Sequence, residues 1–278
     1  AFLLQYETNG FNQWQAAQTL LERILLNGHD ATIYLQAMKK TIPTLIDQDP
    51  LLVSRLFDVP TEGYLGSRID SSYQPVKIQE QRNALLTKLA QEFGSFCKET
   101  YLSLDPSVQK EFSQAMGVRA LKNIMLTMIA RQGDESAFEL ADAQYKSTRN
   151  MSERLGALKV LVWNDAPQAE AALIDFYMRF KDESLSMDQW FMVQAAHPQA
   201  DAQTIEYLTS HPDYDLAVPN RIRSVSSGLN ANPVNTWSFG VQHYIQLAQY
   251  LDEKNPIIGS RLLQVLSRWY TLAEPQRS

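Results

Sequence analysis

The stretch NQWQAAQTLLERILLN, residues 12–27, decides the fold class. Trp14, Ala17, Leu20, Leu21, Ile24 and Leu25 recur in it at spacings of three and four. At about 3.6 residues per helical turn, that spacing lines one face of an α-helix. The same pattern continues outward. Residues 30–40 repeat it with Ile33, Ala37 and Met38. A long helix is expected over residues 76–101, with Leu85, Leu86, Leu89, Phe93, Phe96 and Cys97 on its apolar side. Asp105-Pro106 reads as a helix start, because Asp accepts from a free N–H and Pro fits the first helical position. The helix it opens covers residues 107–131, unless Gly117 divides it. Further helices are expected over 135–146, 152–163, 167–180, 187–196, 202–209, 239–251 and 257–272. Asn150 with Glu153, and Ser186 with Gln189, resemble capping boxes. Residues 59–75 hold Pro60, Gly63, Gly66, Ser71, Ser72 and Pro75, and read as an irregular loop. No segment alternates with a strand period, and no sharp repeat stands out. Helices joined this way stack as antiparallel pairs, in a solenoid or a globular bundle.

Composition narrows the function. The 278 residues are 45% hydrophobic and 20% charged, enough for a sizeable core. Net charge is -6 and no Lys/Arg-dense run occurs, so an electrostatic nucleic-acid footprint is not expected. Apolar runs such as Ile124-Met125-Leu126 stay far below the roughly 18 residues that span a bilayer. One cysteine, Cys97, rules out an intrachain disulfide framework and a thiolate zinc site, and suits a reducing, cytoplasmic setting. Cys97 itself is expected to be inert packing. The start, Ala1-Phe2-Leu3-Leu4, lacks a basic region and does not read as a signal peptide. The abrupt start and end suggest a piece of a longer protein.

Candidate chemistry is sparse. His29, His197, His211 and His243 form no H-E-x-x-H pattern. His211-Pro212-Asp213-Tyr214-Asp215 has metal-friendly atoms but reads as a turn, and His197-Pro198 as a helix end. His243, beside Tyr244, reads as a satisfied core or face histidine. Ser226-Ser227-Gly228 is no nucleophile elbow, which needs a glycine two residues before the serine and a preceding strand. Asp182-Glu183 and Asp252-Glu253 fall at helix ends and read as solvated caps. Met187-Asp188-Gln189-Trp190-Phe191 is expected to anchor its helix in the core. Two arginine-bearing stretches remain: Pro219-Asn220-Arg221-Ile222-Arg223-Ser224, with Asn220 read as a helix cap, and Gly259-Ser260-Arg261-Leu262-Leu263. An arginine among small and apolar neighbours either snorkels at the surface or faces a cavity as a fixed charge.

Six segments, taken in order, carry a family resemblance: Asn12 to Leu20, Arg119-Ala120-Leu121-Lys122-Asn123, Asn150 to Leu158, Met187 to Phe191, Pro219 to Ser224, and Ser260 to Leu263. Together they resemble the C-terminal helical domain of bacterial aminopeptidase N, among the zinc-dependent gluzincin aminopeptidases. The resemblance implies one all-α domain over residues 1–278; the more regular second half of the sequence itself suggests a weak sub-boundary near Asp105. Its fold would be stacked antiparallel helix pairs, α-solenoid-like in the manner of armadillo or HEAT repeats. The family's zinc site, H-E-x-x-H with a further glutamate, and its Gly-x-Met-Glu-Asn motif lie upstream and are absent here. This chain would therefore hold no cofactor and be inactive alone, the zinc belonging to the parent enzyme. Its implied partners are the thermolysin-like catalytic domain of the same polypeptide and peptide substrates, with neither nucleic acid nor membrane. Its implied role is to cap the active site, wall the substrate cavity and limit access.

The family's helical domain supplies basic side chains to that cavity, and the matching positions are Arg223 and Arg261, with Arg221 in the same motif. Residues two apart on a helix point in very different directions. Arg223 is therefore expected to face the cavity, and Arg221 to enter an internal or interdomain ion pair. The family continues with further helices beyond the Arg261 segment, so either part of the wall lies outside this sequence or this member is shorter. The competing reading is a free-standing helical-repeat scaffold that binds a protein partner.

Overall fold

Helix starts in this chain are written in side-chain oxygens. In a computed structural model that describes residues 1–108, 111–133 and 135–274, Asn9, Asp49, Thr61, Asn150, Asp201, Asn232 and Asn255 each accept a free first-turn N–H. Pro50, Pro233 and Pro256 follow three of these caps at the first helical position, where no N–H is needed. The first helices are α1 (Phe2–Tyr6), α2 (Gly10–Asn27), α3 (Thr32–Leu45), α4 (Pro50–Leu56), α5 (Glu62–Ser67), α6 (Pro75–Glu92) and α7 (Gly94–Ser103). There follow α8 (Phe112–Arg131), α9 (Ser136–Ser147), α10 (Met151–Trp163), α11 (Ala169–Phe180), α12 (Ser184–Ala195) and α13 (Ala202–Thr209). The last are α14 (Pro219–Asn230), α15 (Pro233–Asn235), α16 (Val241–Asp252) and α17 (Pro256–Leu263). A π-helical stretch, Thr236–Gly240, joins α15 to α16, and a 3-10 stretch, Gln264–Thr271, follows α17. Among the described residues there is no strand, and Tyr73 and Leu272 form an isolated bridge.

The fold class expected from the periodicity is the one observed, but several boundaries differ. Residues 59–75 are not all loop: Thr61 caps α5, and Gly66 lies against the Tyr73 ring, where a Cβ would come within 2.7 Å of it. The helix expected over 76–101 breaks at Phe93, whose backbone leaves the helical region (φ -112°, ψ 16°), and Gly94 beside it lies against the Gln132 side chain. α8 runs unbroken through Gly117, which abuts the Leu51 backbone. It starts at Phe112; residues 109 and 110 of the expected helix lie outside the described part. Ser186 is inside α12, whose N-cap is Glu183, so it forms no capping box there. Val218, not Asn220, stands at the N-cap of α14.

The chain divides into two compact units. The first comprises Ala1–Pro60 and Glu80–Gln168, and so contains Asp105. In it α8 packs against α4, α7, α9 and α10, while α2 packs with α1, α3 and α4. Leu21, Leu56, Leu121, Met125 and Leu158 are fully buried. Each such side chain contributes roughly 1.5–3 kcal/mol relative to exposure. Cys97 is fully buried, and burial pushes its thiol up to about 12.

The second unit comprises Thr61–Gln79 and Ala169–Ser278. Its tightest packing is α12 on α14. There Gly228 lets the helices close: a Cβ on it would stand 2.6 Å from that of Ala195. Met187, Trp190 and Phe191 are buried as expected, and Trp190 Nε1 donates to the Leu173 carbonyl at 3.0 Å. α16 packs on α17, where Gly259 abuts the Ala248 carbonyl.

Candidate functional site

α14 carries the first candidate arginines. It buries Ile222, Val225 and Leu229, and leaves Arg223, Ser227 and Asn230 exposed. These last three recur at four and three residues, so they share one face. α17 carries Arg261 exposed and Ile258 and Leu262 buried. Between the two helices lies a hollow of about 190 Å³. Its apolar side is Tyr244, Ile258, Leu262 and Val265; Arg223 and Arg261 both line it, with Ser226, Ser227 and Asn230.

The electrostatics of this hollow are simple. Arg223 Nη1 donates to Asn220 Oδ1 at 3.3 Å. Among the described residues, neither Arg223 nor Arg261 pairs with a carboxylate. The Tyr244 hydroxyl donates to the Ser226 carbonyl at 2.7 Å, and burial holds it protonated well above the usual tyrosine range. Ser226 Oγ is buried without a partner among the described residues. Guanidinium groups without a carboxylate partner on an apolar hollow can take a carboxylate in bidentate fashion, while the hollow receives an apolar side chain.

Arg221 is placed differently. It is 7% exposed, its Nε donates to Asp188 Oδ1 at 2.8 Å, and its Nη1 donates to the Asp213 carbonyl. Its guanidinium lies 5.0 Å from the Phe191 ring centroid. It ties α14 to α12 and does not line the hollow. The structure thus brings Arg223 and Arg261 together and sets Arg221 apart. Sequence reasoning did not single out Tyr244, Ile258 or Val265 as lining residues; the four-and-three spacing of Ile258, Leu262 and Val265 was the available signal.

The histidines do not converge. His211 Nδ1 accepts from the Asp213 N–H at 3.1 Å, closing the turn, and its ring packs among Tyr177, Trp190 and Phe191. His243 Nε2 is buried without a partner among the described residues, unlike the satisfied histidine expected there, and burial holds its pKa below the usual value. Among the described residues no three His, Cys, Asp or Glu side chains are grouped to hold a metal ion. No helix among the described residues is long and apolar enough to cross a membrane.

Helices packed on one another in this way, with no strand among the described residues, define an all-α domain. The chain belongs to the family described as "Domain of unknown function (DUF3458_C) ARM repeats", whose model matches residues 1–278. Aminopeptidase N of Escherichia coli (strain K12) is 28% identical over 281 residues, covering 96% of this chain and 32% of that protein. Aminopeptidase N of Caulobacter vibrioides is 29% identical over 284 residues, covering 95% of this chain and 32% of that protein. The chain thus spans 32% of the length of these relatives, matching their C-terminal region. A solved structure, that of Legionella pneumophila aminopeptidase A in complex with aspartic acid, matches 99% of this chain and 34% of its own. Its TM-score is 0.85 at 22% identity, a likeness that shows the fold.

Proposed function

We propose that this chain is the non-catalytic C-terminal helical domain of a zinc-dependent aminopeptidase that releases N-terminal amino acids from peptides. In this reading the chain forms a single functional domain, walls the substrate cavity of a thermolysin-like catalytic domain in the same polypeptide, and limits access to it. The zinc is held by residues outside this chain. A cytoplasmic setting accords with the lone, buried Cys97.

The observation that carries the reading is the sharing of one hollow by Arg223 and Arg261, neither paired with a carboxylate among the described residues. A guanidinium fork matches a peptide's terminal carboxylate, and the apolar side suits the last side chain. The family membership and the aminopeptidase N relatives support the parent activity. Arg221 serves this reading indirectly, by fixing the helix that carries Arg223.

The test is kinetic, on the full-length enzyme. Arg223→Ala or Arg261→Ala is expected to raise KM for short peptides. Aminoacyl arylamides, which lack a terminal carboxylate, should be affected far less. Equal losses on both substrate classes would overturn the carboxylate role. A full-length protein with no aminopeptidase activity would overturn the parent reading.

A further inference from the structure

The first unit holds a cavity that the peptide reading does not use. It measures about 430 Å³ and lies where α8, α10 and the end of α4 meet. That is within the range of about 300–1,000 Å³ typical of small-molecule sites. Gly156 of α10 creates the close approach, because any Cβ there would stand 2.4 Å from Asn123 Oδ1.

Most polar groups of the wall are already committed. Asn123 Nδ2 donates to the Ser152 carbonyl at 2.9 Å, and its Oδ1 accepts from Gln144 Nε2 at 2.9 Å. Thr127 Oγ1 donates to the Asn123 carbonyl at 3.0 Å, and Asn164 Nδ2 to the Val160 carbonyl at 2.8 Å. Asp58 pairs with Arg55 at 3.1 Å. Lys159 is the exception. It lines the cavity half-buried, and among the described residues no carboxylate pairs with it. Its Nζ lies 5.6 Å from the Trp163 ring centroid. Burial holds its ammonium below the usual lysine range. A desolvated charge without a counter-charge is unfavourable, and a ligand anion would relieve it.

We propose that this cavity is a binding site for a small organic monocarboxylate with a flat apolar body, its carboxylate on Lys159 and its body on Trp163. With Arg55 matched by Asp58, Lys159 alone is left to select one negative charge; a phosphate dianion would leave its second charge unmatched against the apolar wall. Leu155, Ile124 and Trp163 supply the surface that a bare inorganic anion cannot use. The inference does not depend on the aminopeptidase reading.

The test is protection from acetylation in the full-length polypeptide, with acetic anhydride as reagent and peptide mass spectrometry as readout. The probe is 3-phenylpropionate, with 3-phenylpropanamide and inorganic phosphate as controls. At about ten times its dissociation constant, the probe is expected to slow Lys159 acetylation about tenfold. Exposed Lys77 should be unaffected, and neither control should protect. Lys159→Met should abolish the calorimetric signal of binding, and Trp163→Leu should weaken it. Absence of saturable protection, or equal protection by the amide, overturns the proposal. So does a Lys159 that resists acetylation before any probe is added, since an acidic segment of the longer polypeptide would then fill the cavity. The wild-type labelling decides the matter even if Lys159→Met fails to fold.

Discussion

Arg221 and Asp188 face each other across α12 and α14 at 2.8 Å, with side chains only 8% exposed on each partner. Two residues further on, Arg223 stands exposed on the opposite side of the same helix. One short segment thus spends one arginine on holding helices together and leaves the other, among the described residues, without a carboxylate partner. A buried pair of this kind is costly to form, but far costlier to break by half, since the remaining charge has no water to turn to.

Arg221→Met or Asp188→Asn is therefore expected to destabilise the chain by about 3–5 kcal/mol. The double variant Arg221→Met with Asp188→Asn should lose less than the sum of the singles, because no charge is left stranded. Urea unfolding of the four proteins, analysed as a cycle, checks this; additive losses would mean that the two side chains are not coupled.

Gly228→Ala sets two effects against each other. Alanine gains about 1 kcal/mol in helix propensity. The new methyl, however, meets Ala195 Cβ at 2.6 Å and the backbone of Met192 and Ala196 at 3.0 Å, none of which can move without shifting the end of α12. Overpacking of this sort costs about 1–3 kcal/mol, so a net loss of stability is expected. A thermal midpoint equal to or above that of the parent would show that α12 and α14 can separate freely.

At the hollow, charge and shape can be separated. Charge-assisted hydrogen bonds contribute about 1.5–3 kcal/mol, so Arg223→Ala should raise peptide KM roughly tenfold to a hundredfold. Arg223→Lys keeps the charge but loses the fork, and should fall between the parent and Arg223→Ala. Steady-state kinetics on a tripeptide and on its C-terminal amide distinguish the variants; the amide should show little difference among all three.

His243 gives a pH dependence with a definite sign. Burial lowers its folded-state pKa below the unfolded value of about 6.5, so the unfolded chain takes up this proton first as pH falls. The contribution of neutral His243 to stability is thus full above that value and declines as pH falls toward the folded pKa. Thermal midpoints from pH 8 to pH 5 should fall less in His243→Leu than in the parent. Parallel curves would assign the acid sensitivity to other groups.

The helices were legible because burial follows the spacing. In the opening stretch, Ala17, Leu21 and Leu25 are buried on one face as expected. Gln13 was overlooked: it shares that face and is 5% exposed, its amide donating to the Leu4 carbonyl at 3.3 Å. Polarity masked a core position whose partner comes from a neighbouring helix. The break at Phe93 and the helix at Glu62–Ser67 were also missed. A lone glycine costs a helix only about 1 kcal/mol, so Gly94 by itself marks no boundary, and the break lies in the backbone of Phe93 before it. Arg223 and Arg261 were legible only through resemblance, since 38 positions of chain separate them (261 − 223) and periodicity carries nothing over that distance. Lys159 looked like any helix-surface lysine; Trp163 four residues on was the sole hint in the sequence, and the walls from α8 and α4 supply the rest.

Cys97 has a practical consequence. A fully buried thiol held protonated to about pH 12 is a poor target for maleimides and disulfide reagents. The described chain therefore offers a silent background for spectroscopy. A cysteine introduced at exposed Ser227, beside the arginine pair, could carry a fluorophore or spin label as the sole reactive handle, with the native residue left in place.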